Sequence, residues 1–177
     1  MIALPFLQKM KHSPIYNYGG IPGLTSWLIG APSPNGLVRL MECSRDHQEP
    51  IIPHSHRFDF ECHVIGGHVR NVLWVPTNGG DEFQSTSMEY CGTPGQYTRQ
   101  DVSIQKWSPH SFEYKSGDRY GMRADQIHSI YFGRDTSVLF FEGPSVSETS
   151  VILEPHIDGV TIQTFKVEPW AFKRGVA

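Results

Sequence analysis

Cysteine is scarce in this chain. Three residues, Cys43, Cys62 and Cys91, are an odd number in 177. A disulfide scaffold is therefore not expected, and a reducing compartment is the simpler reading. No apolar run approaches the roughly 18 residues that a membrane span needs. The N-terminal MIALPFLQKMKHSPIY has no basic segment ahead of a long apolar run, and Pro5, Gln8 and Lys9 interrupt it. Neither a signal peptide nor a membrane anchor is expected, and the cytoplasm is the default location. An excess of positive charge is also missing: 15 basic against 18 acidic residues give a net charge of −3. That balance argues against a nucleic-acid or polybasic membrane partner. No repeat of 20–50 residues is visible, which excludes solenoids and propellers.

Helical periodicity is poor throughout. Residues 2–10 and 167–172 are the candidates for a turn or two of helix. What the chain has instead is 17 Gly, 13 Pro and a supply of core aromatics, 10 Phe, 7 Tyr and 4 Trp. Short strands with tight turns fit that composition. Strands are expected at 37–43, 58–65, 68–75, 110–115, 127–132, 137–142, 149–153 and 159–165. In 58–65 the apolar residues Phe58, Phe60, Cys62 and Val64 share one face, and Asp59, Glu61 and His63 share the other. Gly66-Gly67 reads as a hairpin turn into 68–75. Residues 76–104 are polar and rich in Gly, Ser and Thr, and read as an insertion leaving the sheet. The whole chain, 1–177, reads as one all-β domain, an antiparallel sandwich or barrel.

Nine histidines are present, and four of them, His54, His56, His63 and His68, fall between 54 and 68. On an extended chain His54 and His56 project from one face, so one cation can take two imidazoles from a single segment. Further ligands must come from elsewhere. His128 shares a strand face with Ile130 and Phe132, and is either a satisfied core histidine or a ligand. Glu61 stands on the outer face by alternation. It reaches a metal held by the histidines only if the chain bulges between His56 and Glu61; otherwise the site is three-histidine, with Asp59 as the remaining acidic alternative. Arg70 and Asn71 read as edge positions on the residues alone. Cys62 reads as a buried small hydrophobe, His110 as a surface residue, and Trp74 and Tyr120 as core aromatics.

These segments resemble the cupin superfamily. His54, His56 and Glu61 match H-x-H-x4-E of the first cupin motif (about 48–68), and Gly117 and His128 match the Gly-to-His spacing of the second (about 117–132). The chain departs from the motifs at Gln48, Arg123, Asp125 and Phe132. Counting back from Gly67 also places Phe60, not Glu61, in the motif's acidic position. The stretch is most similar to small single-domain cupins and, distantly, to thiol dioxygenases, although Leu139 and Phe141 stand where those enzymes carry His and Tyr. The resemblance implies an antiparallel jelly-roll barrel and a divalent metal held by His54, His56, His128 and Glu61. Fe(II) is favoured, with Mn, Ni or Zn as alternatives. The resemblance also implies that Arg70 or Asn71 faces the ligand cavity and orients an anionic or carbonyl substrate. It implies a mononuclear metal-dependent enzyme acting on a small molecule, oxygenase chemistry favoured. The alternatives are a non-catalytic sugar- or nucleotide-binding protein and a metal-dependent isomerase. A two-fold homodimer is expected.

Overall fold

The computed structural model describes residues 13–33, 36–46, 52–91, 97–157 and 160–161. The helical expectations at 2–10 and 167–172 lie outside these residues. The described chain is almost entirely strand. In order come β1 (Ile15–Tyr16), a 3-10 turn (Tyr18–Gly20), β2 (Leu24–Ser33), β3 (Gly36–Cys43), β4 (Phe58–Gly66) and β5 (His68–Tyr90). After these come β6 (Tyr97–Lys115), β7 (Arg119–Met122), β8 (Ile127–Phe132), β9 (Thr136–Ser145), β10 (Thr149–Ile157) and β11 (Val160–Thr161).

They form two antiparallel sheets. The first runs β1-β2-β3-β9-β4-β7; the second runs β11-β10-β5-β6, with β8 also paired to β5. The alternation read in 58–65 holds: Phe60, Cys62 and Val64 are buried while Asp59 and Glu61 are exposed. With Leu24, Met41, Val69, Met122, Phe132 and Val138 they fill the space between the sheets. A smaller cluster joins Phe83, Trp107, Ile127 and Leu153.

Two expectations fail, and both failures concern how strands continue. Gly66-Gly67 does not make a hairpin. β4 pairs with β7 and β9, whereas β5 pairs with β6, β8 and β10. The glycine pair instead carries the chain from one sheet to the other. Gly67 has φ of 70°, and a Cβ there would stand 2.7 Å from Thr136 Cα. Only glycine meets both conditions without strain.

Nor does 76–104 leave the sheet within the described residues. β5 and β6 stay paired from His68↔Lys115 to Tyr90↔Tyr97, apart from register shifts at Pro76/Asp81 and Ser85/Thr86. The stretch is polar because most of its side chains on β6 face water, not because it is a loop. The first shift leaves Thr77–Gly80 outside the ladder. Gly80 there has φ of 109° and passes close to the Trp107 carbonyl. The strand β2 went unread in the sequence, and its pairing with β3 is itself broken by two register shifts.

Candidate metal centre

The segment around His54 belongs to no long strand, yet its backbone is held on several sides. His54 N–H donates to His128 O, and His128 N–H donates back to His54 O, both at 2.9 Å. Ser55 N–H donates to Val151 O at 2.8 Å, and Val151 N–H donates to Ser55 Oγ at 2.8 Å. His56 N–H donates to Ala124 O at 3.1 Å. The H-x-H segment is thus wedged between β8 and β10, and its two imidazoles turn to the same side, as the two-residue spacing requires.

His128 meets them there. The ring centroids form a nearly equilateral triangle, 4.9 Å for His54–His56, 5.0 Å for His54–His128 and 5.1 Å for His56–His128. One ligand nitrogen from each lies within 4.8 Å of the others. The Nε2 atoms of His56 and His128 are 2.9 Å apart. Two nitrogens bound about 90° apart to one ion at about 2.0–2.1 Å would stand about 2.9 Å from each other. The donor set therefore fits one small divalent cation.

Protonation supports the same use. Burial pushes all three imidazoles below the ordinary histidine range. His56 and His128 fall well below it, and the neighbouring rings add to the effect. Neutral imidazole is the form that ligates a metal. The tautomers follow from the outer contacts. His54 Nδ1–H donates to Ile52 O at 2.9 Å, and His128 Nδ1–H donates to Asn71 Oδ1 at 2.6 Å. In both rings the proton is then held away from the cluster, and Nε2 carries a lone pair towards it.

Glu61 does not join the site. Its carboxylate accepts from His63 Nε2 at 2.7 Å on the outer face and lies 4.0 Å from Arg119 Nη1. A register shift does occur between Phe58 and Phe60, but it leaves Glu61 pointing outward. Asp59 is occupied too, its Oδ1 accepting from Ala124 N–H at 2.7 Å. Two β4 residues face the imidazoles: Phe60, whose ring lies 4.9 Å from His56 and 5.6 Å from His128, and Phe58, 5.3 Å from His56. The cluster is three-histidine with an aromatic ring where a carboxylate was expected.

Two antiparallel sheets enclose a cavity, and an H-x-H segment and a later strand histidine converge on it. The fold is an antiparallel two-sheet jelly roll. No family model matches the sequence, and no curated protein matches it. Solved structures align with it at low identity over most of its length. An RmlC-like cupin from Shewanella frigidimarina is 11% identical over 77% of this chain and 87% of that chain, with a TM-score of 0.46. KdgF from Halomonas sp. is 14% identical over 75% and 86%, with a TM-score of 0.41. Fe(II) HppE in complex with substrate is 6% identical over 75% of this chain and 57% of that chain, with a TM-score of 0.48.

The cavity measures about 140 Å³. Its wall is mainly apolar and includes Phe58, Phe60, Ile130, Phe132, Val138 and Phe140. Tyr18 and Tyr120 contribute hydroxyls, and burial raises both above the ordinary tyrosine range, so they stay protonated. Cys62 is also in the wall, and burial pushes its thiol up to about 12, which makes it an inert packing residue.

The remaining candidates fall outside. Arg70 is exposed and stacks on Tyr131, 3.9 Å from the ring centroid, and His110 is exposed on β6. Asn71 turns inward, but towards His128 rather than a substrate. Its role as the partner that sets the His128 tautomer went unread, although alternation along 68–75 already placed it with Val69 and Leu73. No helix among the described residues is long and apolar enough to cross a membrane.

Proposed function

We propose that this cupin is a mononuclear metal-dependent enzyme acting on a small molecule, with oxygen chemistry favoured. The observation that carries the reading is the set of three converging, neutral imidazoles on the wall of an apolar cavity. His54, His56 and His128 would hold the ion. A divalent metal with three imidazole ligands keeps open positions and supplies Lewis-acid or oxygen-activating chemistry there. The protein's own part is derived from its side chains. Asn71 and the Ile52 carbonyl orient the imidazoles, and Phe58, Phe60 and Phe140 present apolar surface beside them. Fe(II) is the ion favoured with oxygen chemistry; the all-imidazole donor set also suits Ni and Zn, and Mn is the remaining alternative.

The test is anaerobic reconstitution with each ion in turn, followed by metal analysis and oxygen uptake with a panel of small thiols and carbonyl compounds. One ion per chain and substrate-dependent uptake are the expected results. A chain that retains none of the four ions sinks the reading. Binding without turnover is the second reading, favoured by Val138 and Phe140, the β9 residues that line the cavity, neither of which can carry a proton. Saturable ligand stabilisation with no product would establish it. The position of β6 at the end of its sheet supports the expected two-fold dimer. Light scattering checks this against the 20.0 kDa of one chain.

A further inference from the structure

Arg57 is the one permanently charged residue among the described side chains that line the cavity, and no carboxylate lines it. It follows His56 directly in the sequence, so its backbone is placed by the metal-site segment itself. Arg57 O accepts from Val146 N–H at 2.8 Å and from Ser147 N–H at 3.2 Å, which anchors it from the other side. The residue is half-buried. Its guanidinium lies over Tyr90, 5.0 Å from the ring centroid, and its charge acts on the Tyr97 hydroxyl.

Among the described residues Arg57 has no anionic partner. Arg39 is paired with Glu142, Arg99 with Glu154 and Arg123 with Asp125. Among the described residues no carboxylate lies within ion-pair distance of Arg57. Aromatic rings can shelter a guanidinium but leave its forked donors unused. A half-buried guanidinium without an anion is poised for one, because carboxylates accept from it in a two-pronged, charge-assisted geometry.

Cavity size limits the rest of the ligand. A volume of about 140 Å³ is close to that of the dry engineered cavity, about 150 Å³, that binds benzene. It holds a ring or about six carbons. The wall around this space offers aromatic and aliphatic carbon, with tyrosine and serine hydroxyls and the three neutral imidazoles among its uncharged polar groups.

We infer that the cavity takes a small apolar monocarboxylate, its carboxylate held by Arg57 and its hydrocarbon body lying against Phe58, Phe60 and Phe140, beside the three imidazoles. This assignment names the substrate class for the proposed enzyme site and rests on that site being the functional one.

The test compares benzoate and hexanoate with their neutral isosteres, benzamide and hexanamide, by calorimetric titration. It uses the full chain, both metal-loaded and metal-free, with Arg57→Gln and Arg57→Lys alongside. The acids are expected to bind at least tenfold more tightly than the amides. Arg57→Gln should remove that preference with the metal content and circular dichroism of the wild type intact, and Arg57→Lys should keep part of it. Equal affinity for acids and amides overturns the inference, as does a preference that survives Arg57→Gln or a cavity that takes neither class. If the wild type retains no metal yet still selects the acids through Arg57, the enzyme reading fails and this inference stands.

Discussion

His128 makes two contacts that define it. Its Nε2 faces His56 and its Nδ1 faces Asn71. His54→Ala or His128→Ala should abolish tight metal binding while the circular dichroism of the folded chain is kept. Glu61→Gln should leave metal stoichiometry unchanged, because Glu61 is on the outer face with His63. Metal analysis after gel filtration checks all three. Asn71→Leu leaves a buried imidazole N–H without an acceptor, which costs about 1–3 kcal/mol. Metal affinity should fall about 10–100-fold with the three ligands intact. Competition with a chromophoric chelator measures it.

The same histidines set a pH dependence. Their folded-state pKa values lie below the unfolded one, so below about pH 6.5 the unfolded chain binds protons that the metal-free native state refuses. Stability is therefore complete above about pH 6.5 and falls as the pH drops through that value. Each group can contribute up to about 1.4 kcal/mol per pH unit. Denaturant unfolding from pH 7.5 to 5 is the measurement, and a triple His→Asn variant should show a flatter profile.

At the scale of elements, two devices hold the strands in place. The turn at Gly67 switches the chain between sheets, with Thr136 Oγ1 accepting from His68 N–H at 3.2 Å and donating to His68 O at 2.8 Å. Gly67→Ala adds a methyl at positive φ and within 3 Å of Thr136, and should cost more than about 1 kcal/mol in denaturant unfolding. The second device joins β3 to β9. Arg39 Nε donates to Glu142 Oε1 at 2.6 Å, and both side chains are about 5% exposed. Tyr18 lies under the guanidinium, 5.2 Å from its centre. Removing one partner strands a buried charge. Arg39→Met alone should destabilise by about 3–5 kcal/mol, whereas Arg39→Met with Glu142→Leu should cost far less. A double-mutant cycle in urea reads the difference.

At the scale of the molecule, the metal site and the main apolar core are separable. Val64 and Val69 are almost fully buried in the apolar core and are not among the residues that line the cavity. Chelation should therefore lower the melting temperature of the loaded protein by mass action and leave its strand content unchanged; loss of the far-ultraviolet strand signal would contradict this. The sequence by itself determined the all-β class, the inner face of β4 and the pairing of His54 with His56, because each follows from local periodicity. It also marked Phe60 as the residue in the acidic position, by counting back from Gly67. The tertiary structure alone decided the rest. The joining of His128 to His54 depends on backbone bonds between residues 74 positions apart. Gly67 turns between sheets rather than within one because Thr136, distant in sequence, occupies the space beside it. Most of the described residues of 76–104 stay in the ladder because β5 and β6 pair with each other and β10 pairs with Phe83–Glu89 on the other side of β5, and alternation within one strand carries no information about what lies next to it.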